Sequence, residues 1–300
     1  MDSFDCIYVA ASAYDARYTR ICIASIRFFY PHVPIRLLVG GPLQRGLADE
    51  LQKYWNVGTA KLPASGDYGW GFVKLEPLFG TPGERFLILD SDTVITGPVL
   101  DLWRNSDAQF LVDDETPPDA EMKGIYYDWE KVRELDPEAP SPYFLFNTGQ
   151  WFGTSGVLRR DDFTPWVEWT MPRNTTPPGY FKNGEQGILN YVLNRKAIRE
   201  GLPVQRKKIM CWPGRSMEGL NVETVATGAA PPLVVHWAGL KKSRLSDMAA
   251  GDLLAYFENM YYEALPVRDV RKIVANCQHT AANYLNHIRI AIRLALNRCR

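Results

Sequence analysis

The sequence predicts an α/β protein with a mostly parallel, mixed sheet flanked by helices. Short apolar runs of buried-strand type, CIYVAA at 6–11 and RFLIL at 85–89, alternate with segments of helical spacing. Several runs end in polar or glycine-rich turns, where ligands of open α/β sheets bind. With 46% hydrophobic and 23% charged residues over 300 positions, the chain is globular, of a length for one large domain or two ordinary ones.

In chain order, Cys6–Ala11 reads as a strand and 12–18 as a polar, aromatic loop. Residues 19–30 have helical spacing, stopped by Pro31. Ile35–Val39 is the next strand, closed by Gly40, Gly41 and Pro42. Residues 46–55 predict a second helix, and 72–79 a third or part of one. The strongest strand, 85–89, runs straight into Asp90-Ser91-Asp92. Residues 109–112 form another, leading to Asp113 and Asp114. The Pro-rich stretch 116–142 reads as a long surface excursion. Strand character resumes at 143–146, a helical segment covers 163–170, and 172–184 is a loop. A helix starts over 185–194, the last strand is 233–236, and the chain reads as helical from about Leu253. We divide it into a main α/β unit, 1–265, and a basic helical tail, 266–300.

Lys+Arg and Asp+Glu balance at 34 each, which argues against a global electrostatic grip on nucleic acid. The balance is uneven along the chain: Arg268, Arg271, Lys272, Arg289, Arg293, Arg298 and Arg300 face one acid, Asp269, in the tail. Leu285, Ile288, Ile292 and Cys299 share a helical face there beside Arg289, Arg293 and Arg300. The tail is therefore expected to touch an anionic membrane surface or a partner. No window is long and apolar enough to span a bilayer. Asp2 and Asp5 stand where a signal peptide carries positive charge, and five scattered cysteines form no Cys-x-x-Cys. A reduced, cytoplasmic setting is expected, peripheral on the inner face of the membrane if the tail binds there.

Two carboxylates one residue apart at the end of a buried strand, Asp90 and Asp92, can face a hard cation such as magnesium or manganese. They also fit a turn or helix cap. The run FLILDSDTV further fits the first motif of haloacid-dehalogenase-like phosphatases, but about 85 residues of α/β pattern precede it and Asp113-Asp114 follows too soon. The last strand ends in His236, with Gly239 and Lys242 beyond it. An imidazole is a third ligand for manganese, a glycine admits a close phosphate, and a lysine neutralises a diphosphate. Separately, His236 fits a structural role and Lys242 a solvated one.

The motifs VAASAY, FVKLEPLF, LILDSDTVI, FNTGQWFG, GEQGILNYV and VHWAGLKKS, in that order, resemble the GT-A fold glycosyltransferases of family 8 type. That group includes glycogenin and bacterial lipopolysaccharide galactosyltransferases, and the resemblance covers roughly residues 4–262. It implies that Asp90, Asp92 and His236 bind Mn2+ (or Mg2+) with the diphosphate of a UDP-hexose. Ser91 would lie by the ribose, with Gly239 and Lys242 on the diphosphate. Ala10, Ser12 and Tyr14 match the loop for uracil and ribose. Lys74 matches a lysine near diphosphate and sugar, and Asn147 and Gly149 a segment beside the sugar. Glu185 and Gln186 match an Asp-Gln pair at the reacting face.

Three departures stand out. The acidic residue usual near Ser12 is missing, and the register of Tyr14 against Tyr18 is open. Glu185 replaces an aspartate. Residues 116–142 match no family pattern. The implied reaction is hexosyl transfer with retention, by front-face attack or by double displacement through Glu185 or Gln186. The acceptor would be a glycan, a lipid-linked sugar or a protein. A metal-dependent nucleotidyl- or phosphotransferase, and a catalytically silent sugar-nucleotide-binding module, are the alternatives. Tyr126, Tyr127, Trp129, Tyr143 and Trp151 fit an acceptor platform or ordinary packing. Asp113 and Asp114 are candidates to meet the acceptor hydroxyl.

Overall fold

The computed structural model describes residues 4–115, 121–215 and 217–281. The chain begins with β1 (Cys6–Ala11), α1 (Ala16–Phe29), β2 (Ile35–Val39), α2 (Leu47–Trp55) and β3 (Val57–Thr59). After a 3-10 helix, Phe72–Phe79, come β4 (Arg85–Asp90), β5 (Thr93–Ile95) and β6 (Phe110–Asp113). The middle holds α3 (Trp129–Val132), β7 (Gln150–Thr154), α4 (Arg160–Phe163), β8 (Val167–Glu168) and β9 (Asn174–Thr175). Then follow α5 (Glu185–Glu200), β10 (Val204–Lys207), β11 (Met210–Cys211), α6 (Val222–Ala226), β12 (Val234–His236) and α7 (Gly251–Glu263).

The seven-stranded sheet has the order β10-β6-β7-β4-β1-β2-β3. β7 pairs antiparallel with both β4 and β6, and the other pairings are parallel. Strand alternation explains the two cores. Ile7, Val9, Leu87 and Leu89 pack on one face with α1, α2 and α7, whereas Tyr8, Phe86 and Ile88 pack on the other with the 3-10 helix and α5. A second sheet, β11-β12-β5, sets β12 antiparallel to β5 and pairs His236 with Thr93.

Four expectations need correction. The loop expected at 12–18 is already helical from Ala16, after a 3-10 turn at Ala13–Asp15. The stretch 116–142 is no surface excursion where it is described: Tyr126, Tyr127, Val132 and Ala139 are buried in the second core. Residues 143–146 form no strand. Asn194 Oδ1 accepts from the Tyr143 and Phe144 amides, and Asn190 Oδ1 from Phe146, so α5 side chains take the place of a ladder. The helix expected at 163–170 is a short α4 followed by β8.

A helical segment, 268–281, follows α7. Its His279 is buried against Tyr18, and Arg271 pairs with Glu50 at 3.2 Å. The amphipathic face expected around 285–299 lies outside the described residues. Among the described residues no helix is long and apolar enough to cross a membrane.

Candidate active site

β4 carries Asp90 to the carboxyl end of the sheet, and the short turn into β5 sets Ser91 and Asp92 beside it. β12, paired on β5, delivers His236 to the same point, where the Trp237 amide donates to the Asp92 carbonyl at 3.0 Å. Ligand atoms of Asp90, Asp92 and His236 all lie within 4.8 Å of one another. His236 Nε2 is 3.2 Å from Asp92 Oδ1 and 3.8 Å from Asp90 Oδ2. Yet the imidazole is 1% exposed and neither ring nitrogen makes a hydrogen bond. Buried polar groups are normally partnered, and among the described residues the only partners in reach of Nε2 are the two carboxylates, so the three groups together suit a cation. Trp212 stacks on it at 5.5 Å and fixes its plane.

Lys74 enters from the 3-10 helix, its ammonium 3.1 Å from Asp90, 2.5 Å from Glu185 and 3.1 Å from the Thr148 carbonyl. Burial alone would depress this ammonium, but Asp90 and Glu185 outweigh it and hold it above the ordinary lysine range. Burial pushes the Glu185 carboxyl up, with Lys74 pulling against it. Glu185 and Gln186 open α5. Thr148 joins them, its hydroxyl donating to Glu185 at 2.8 Å and its amide to Gln186 at 3.3 Å. Gly71, at φ +74°, passes against Glu185, where a Cβ would collide with the carboxylate.

No protein-family model matches the sequence, and no curated protein sequence does. Solved structures do match. The galactosyltransferase LgtC, in complex with donor and acceptor sugar analogues, aligns at TM-score 0.55 and 16% identity over 89% of this chain and 99% of its own. The bifunctional glycosyltransferase WbbM gives 0.54 and 14% over 88% of this chain and 50% of its own. The glycosyltransferase GlyE of Streptococcus pneumoniae gives 0.50 and 14% over 90% and 62%. The chain has the GT-A glycosyltransferase fold.

Within this GT-A sheet, Ala10 of β1 pairs with Asp90, so the expected uridine loop starts beside the carboxylates. Ser12 donates to Asp15 at 3.0 Å, and Tyr14 is 42% exposed. Asn147 Oδ1 accepts from the Gly149 amide at 2.8 Å, and the Gly149 carbonyl accepts from Asp90 at 2.7 Å. Gly239 sits at φ +70° in open space. Lys242 is exposed. Its neighbour Lys241 instead reaches Asp92 Oδ2 at 2.9 Å and Asp15 Oδ1 at 2.6 Å. Burial raises the Asp92 carboxyl, but His236 and Lys241 outweigh it and hold it well below the usual carboxylate range.

Sequence reasoning missed Asp15, Thr148, Lys241 and Trp212. Asp15 supplies an acid next to Ser12, three positions on. The twin lysines were visible, but their order of approach was not. Trp212 left no signal. Of the aromatic candidates, Tyr127 and Trp151 are fully buried core residues, Tyr126 is 2% exposed, and Tyr143 is 60% exposed. Asp113 is corrected too: fully buried, it accepts from the Ile209 and Met210 amides at 2.8 and 2.9 Å, a structural role.

Proposed function

We propose that the protein is a retaining hexosyltransferase that moves a sugar from a UDP-hexose to an acceptor hydroxyl. The observation that carries this is the convergence of the buried His236 imidazole with Asp90 and Asp92 at the mouth of a GT-A sheet. These three residues would hold Mn2+, or Mg2+ in its place. When bound, the cation supplies Lewis-acid stabilisation to the departing diphosphate.

The remaining roles belong to the chain's own side chains. Ala10, Ser12, Tyr14 and Ser91 bind uridine; Gly239 and Lys242 close on the diphosphate, with Lys241 beside them. Asn147 and Gly149 border the sugar, and Gln186 faces its reacting carbon. Glu185 is tied to Lys74 and Thr148, which makes it a poor nucleophile and supports front-face attack over double displacement. On this reading 1–265 is the catalytic unit, working in the cytoplasm, and 266–300 a tail that touches anionic membrane. Sedimentation with anionic liposomes of the full chain but not of a 1–265 truncation is the expected result for the tail.

The deciding experiment is UDP release from a panel of UDP-sugars, with and without manganese and without acceptor. Manganese-dependent release from one or two sugars is expected. No release, together with no manganese-dependent UDP binding by calorimetry, overturns the proposal, and turnover of nucleoside triphosphates instead supports the phosphotransferase alternative.

A further inference from the structure

A cleft of about 820 Å³ opens beside the Asp90–Asp92–His236 cluster. Trp212, on one wall, is the ring stacked on His236. Ile125, on another, accepts from Gln186 Nε2 at 3.4 Å. The cleft therefore adjoins both the cluster and the start of α5. In the sheet order it lies on the β7–β6–β10 side of Asp90, opposite the β1 side that leads into the uridine loop.

Its wall is cationic and aromatic. Alternation at the end of β10 sends Arg206 and Lys208 to the cleft, while Lys207 turns away to the Leu102 carbonyl at 2.7 Å. Lys208 pairs at 2.9 Å with Asp113, whose other oxygen already holds two backbone amides, and its side chain remains 56% exposed. Arg206 lies over the Tyr143 ring at 4.4 Å and reaches Asp114 only at 3.8 Å. Arg215 is exposed and makes no ion pair or side-chain hydrogen bond among the described residues. The two carboxyl groups on the wall are already engaged within the protein. Asp114 is shared with Arg206. Glu115 is pushed up by burial and accepts from Tyr126 at 2.5 Å. The lining thus carries three cationic side chains against two carboxyl groups.

Resting on the glycosyl-transfer reading, we propose that this cleft takes the acceptor, and that the acceptor is a saccharide bearing an oxyanion, a phosphate or a carboxylate. Exposed Tyr143 and half-buried Trp212, whose ring is stacked on His236 on one side, offer faces for a sugar ring. Arg206, Lys208 and Arg215 offer charge-assisted hydrogen bonds to the anionic substituent.

The test uses the full chain with manganese, with and without UDP, and titrates maltose, digalacturonic acid, glucose 6-phosphate and inorganic phosphate calorimetrically. Both anionic sugars are expected to bind at least about tenfold more tightly than maltose, the equivalent of one charge-assisted hydrogen bond. Added salt should erase the preference. The double variant Lys208→Gln, Arg215→Gln should erase it too while UDP affinity is retained; Arg206→Gln is the second variant. Anionic sugars binding no tighter than maltose, or a preference that survives both variants, overturns the proposal. Inorganic phosphate binding as tightly as glucose 6-phosphate removes the saccharide from it. UDP affinity is read separately. Failure of UDP to bind sinks the transfer reading, and the sugar titrations without nucleotide still decide the charge preference of the cleft.

Discussion

Gly149 and His236 form one packing unit. A Cβ at position 149 would lie 2.6 Å from His236 Nδ1 and closer still to Cε1, so the imidazole occupies the space a side chain would need. Gly149→Ala is expected to push the ring off the carboxylates. The overpacking should cost about 1–3 kcal/mol in urea unfolding. Manganese affinity, read by electron paramagnetic resonance titration, should fall about tenfold, as for loss of a group that orients a ligand. Gly239→Ala is the contrast. It meets nothing within 4 Å but sits at φ +70°, so it should cost about 1 kcal/mol and leave metal affinity unchanged.

Lys241 holds Asp92 Oδ2 and Asp15 Oδ1 together, and so places a cationic charge on one carboxylate of the cluster. Without nucleotide, Lys241→Gln should bind manganese about tenfold more tightly than the parent, since a competing cation and its repulsion are removed. Equal or weaker metal binding would show that the lysine is no competitor.

Asn190 and Asn194 stand one helical turn apart on α5, fully buried, and carry the backbone of 143–146 on their amides. Asn190→Leu leaves the Phe146 amide and carbonyl without these partners. The expected loss is about 2–4 kcal/mol, measured by urea denaturation, from two buried backbone groups stranded at once.

Asp136 gives the pH signature. Burial would raise its carboxyl, but the Tyr191 hydroxyl, donating at 2.5 Å, and Arg199 outweigh it and hold it below its ordinary value of 3.8. A depressed folded value means stabilisation that is present above 3.8 and lost as pH falls through the folded value. The stability gap between the parent and Asp136→Asn should therefore be widest near neutrality and close in acid. A gap that stays constant with pH would assign the effect to shape rather than charge.

The parts of the fold that follow local rules were legible. β1 and the middle of β4 are unbroken apolar runs, β2 is apolar but for Arg36, and α5 begins where a glycine-flanked polar pair meets a helical pattern. Residues 143–146 were misread because Tyr-Phe-Leu-Phe has every strand preference, while side chains some fifty residues away satisfy its amides. β12 was read within one residue as the last strand, 233–236, whereas the two-residue β11 is too short for periodicity to speak, and tertiary pairing makes it. At the site, Asp90, Asp92 and His236 stood at strand ends and were visible as a set. Lys241 was not, because Lys241 and Lys242 are the same residue type and only the backbone after Gly239 decides which faces Asp92. Trp212 follows a two-residue strand and had no local cue.

The carboxylates on β4 and the turn after it come from the first half of the chain, and the imidazole on β12 from the second. Neither sheet joins them until β12 has docked against β5, a non-local contact of the kind that forms late in folding. A growing chain that has not yet released residue 236 carries the acidic pair but cannot complete the cluster. On the proposed metal reading, retaining a divalent cation through all three side chains requires that pairing, so cation capture would report a completed fold.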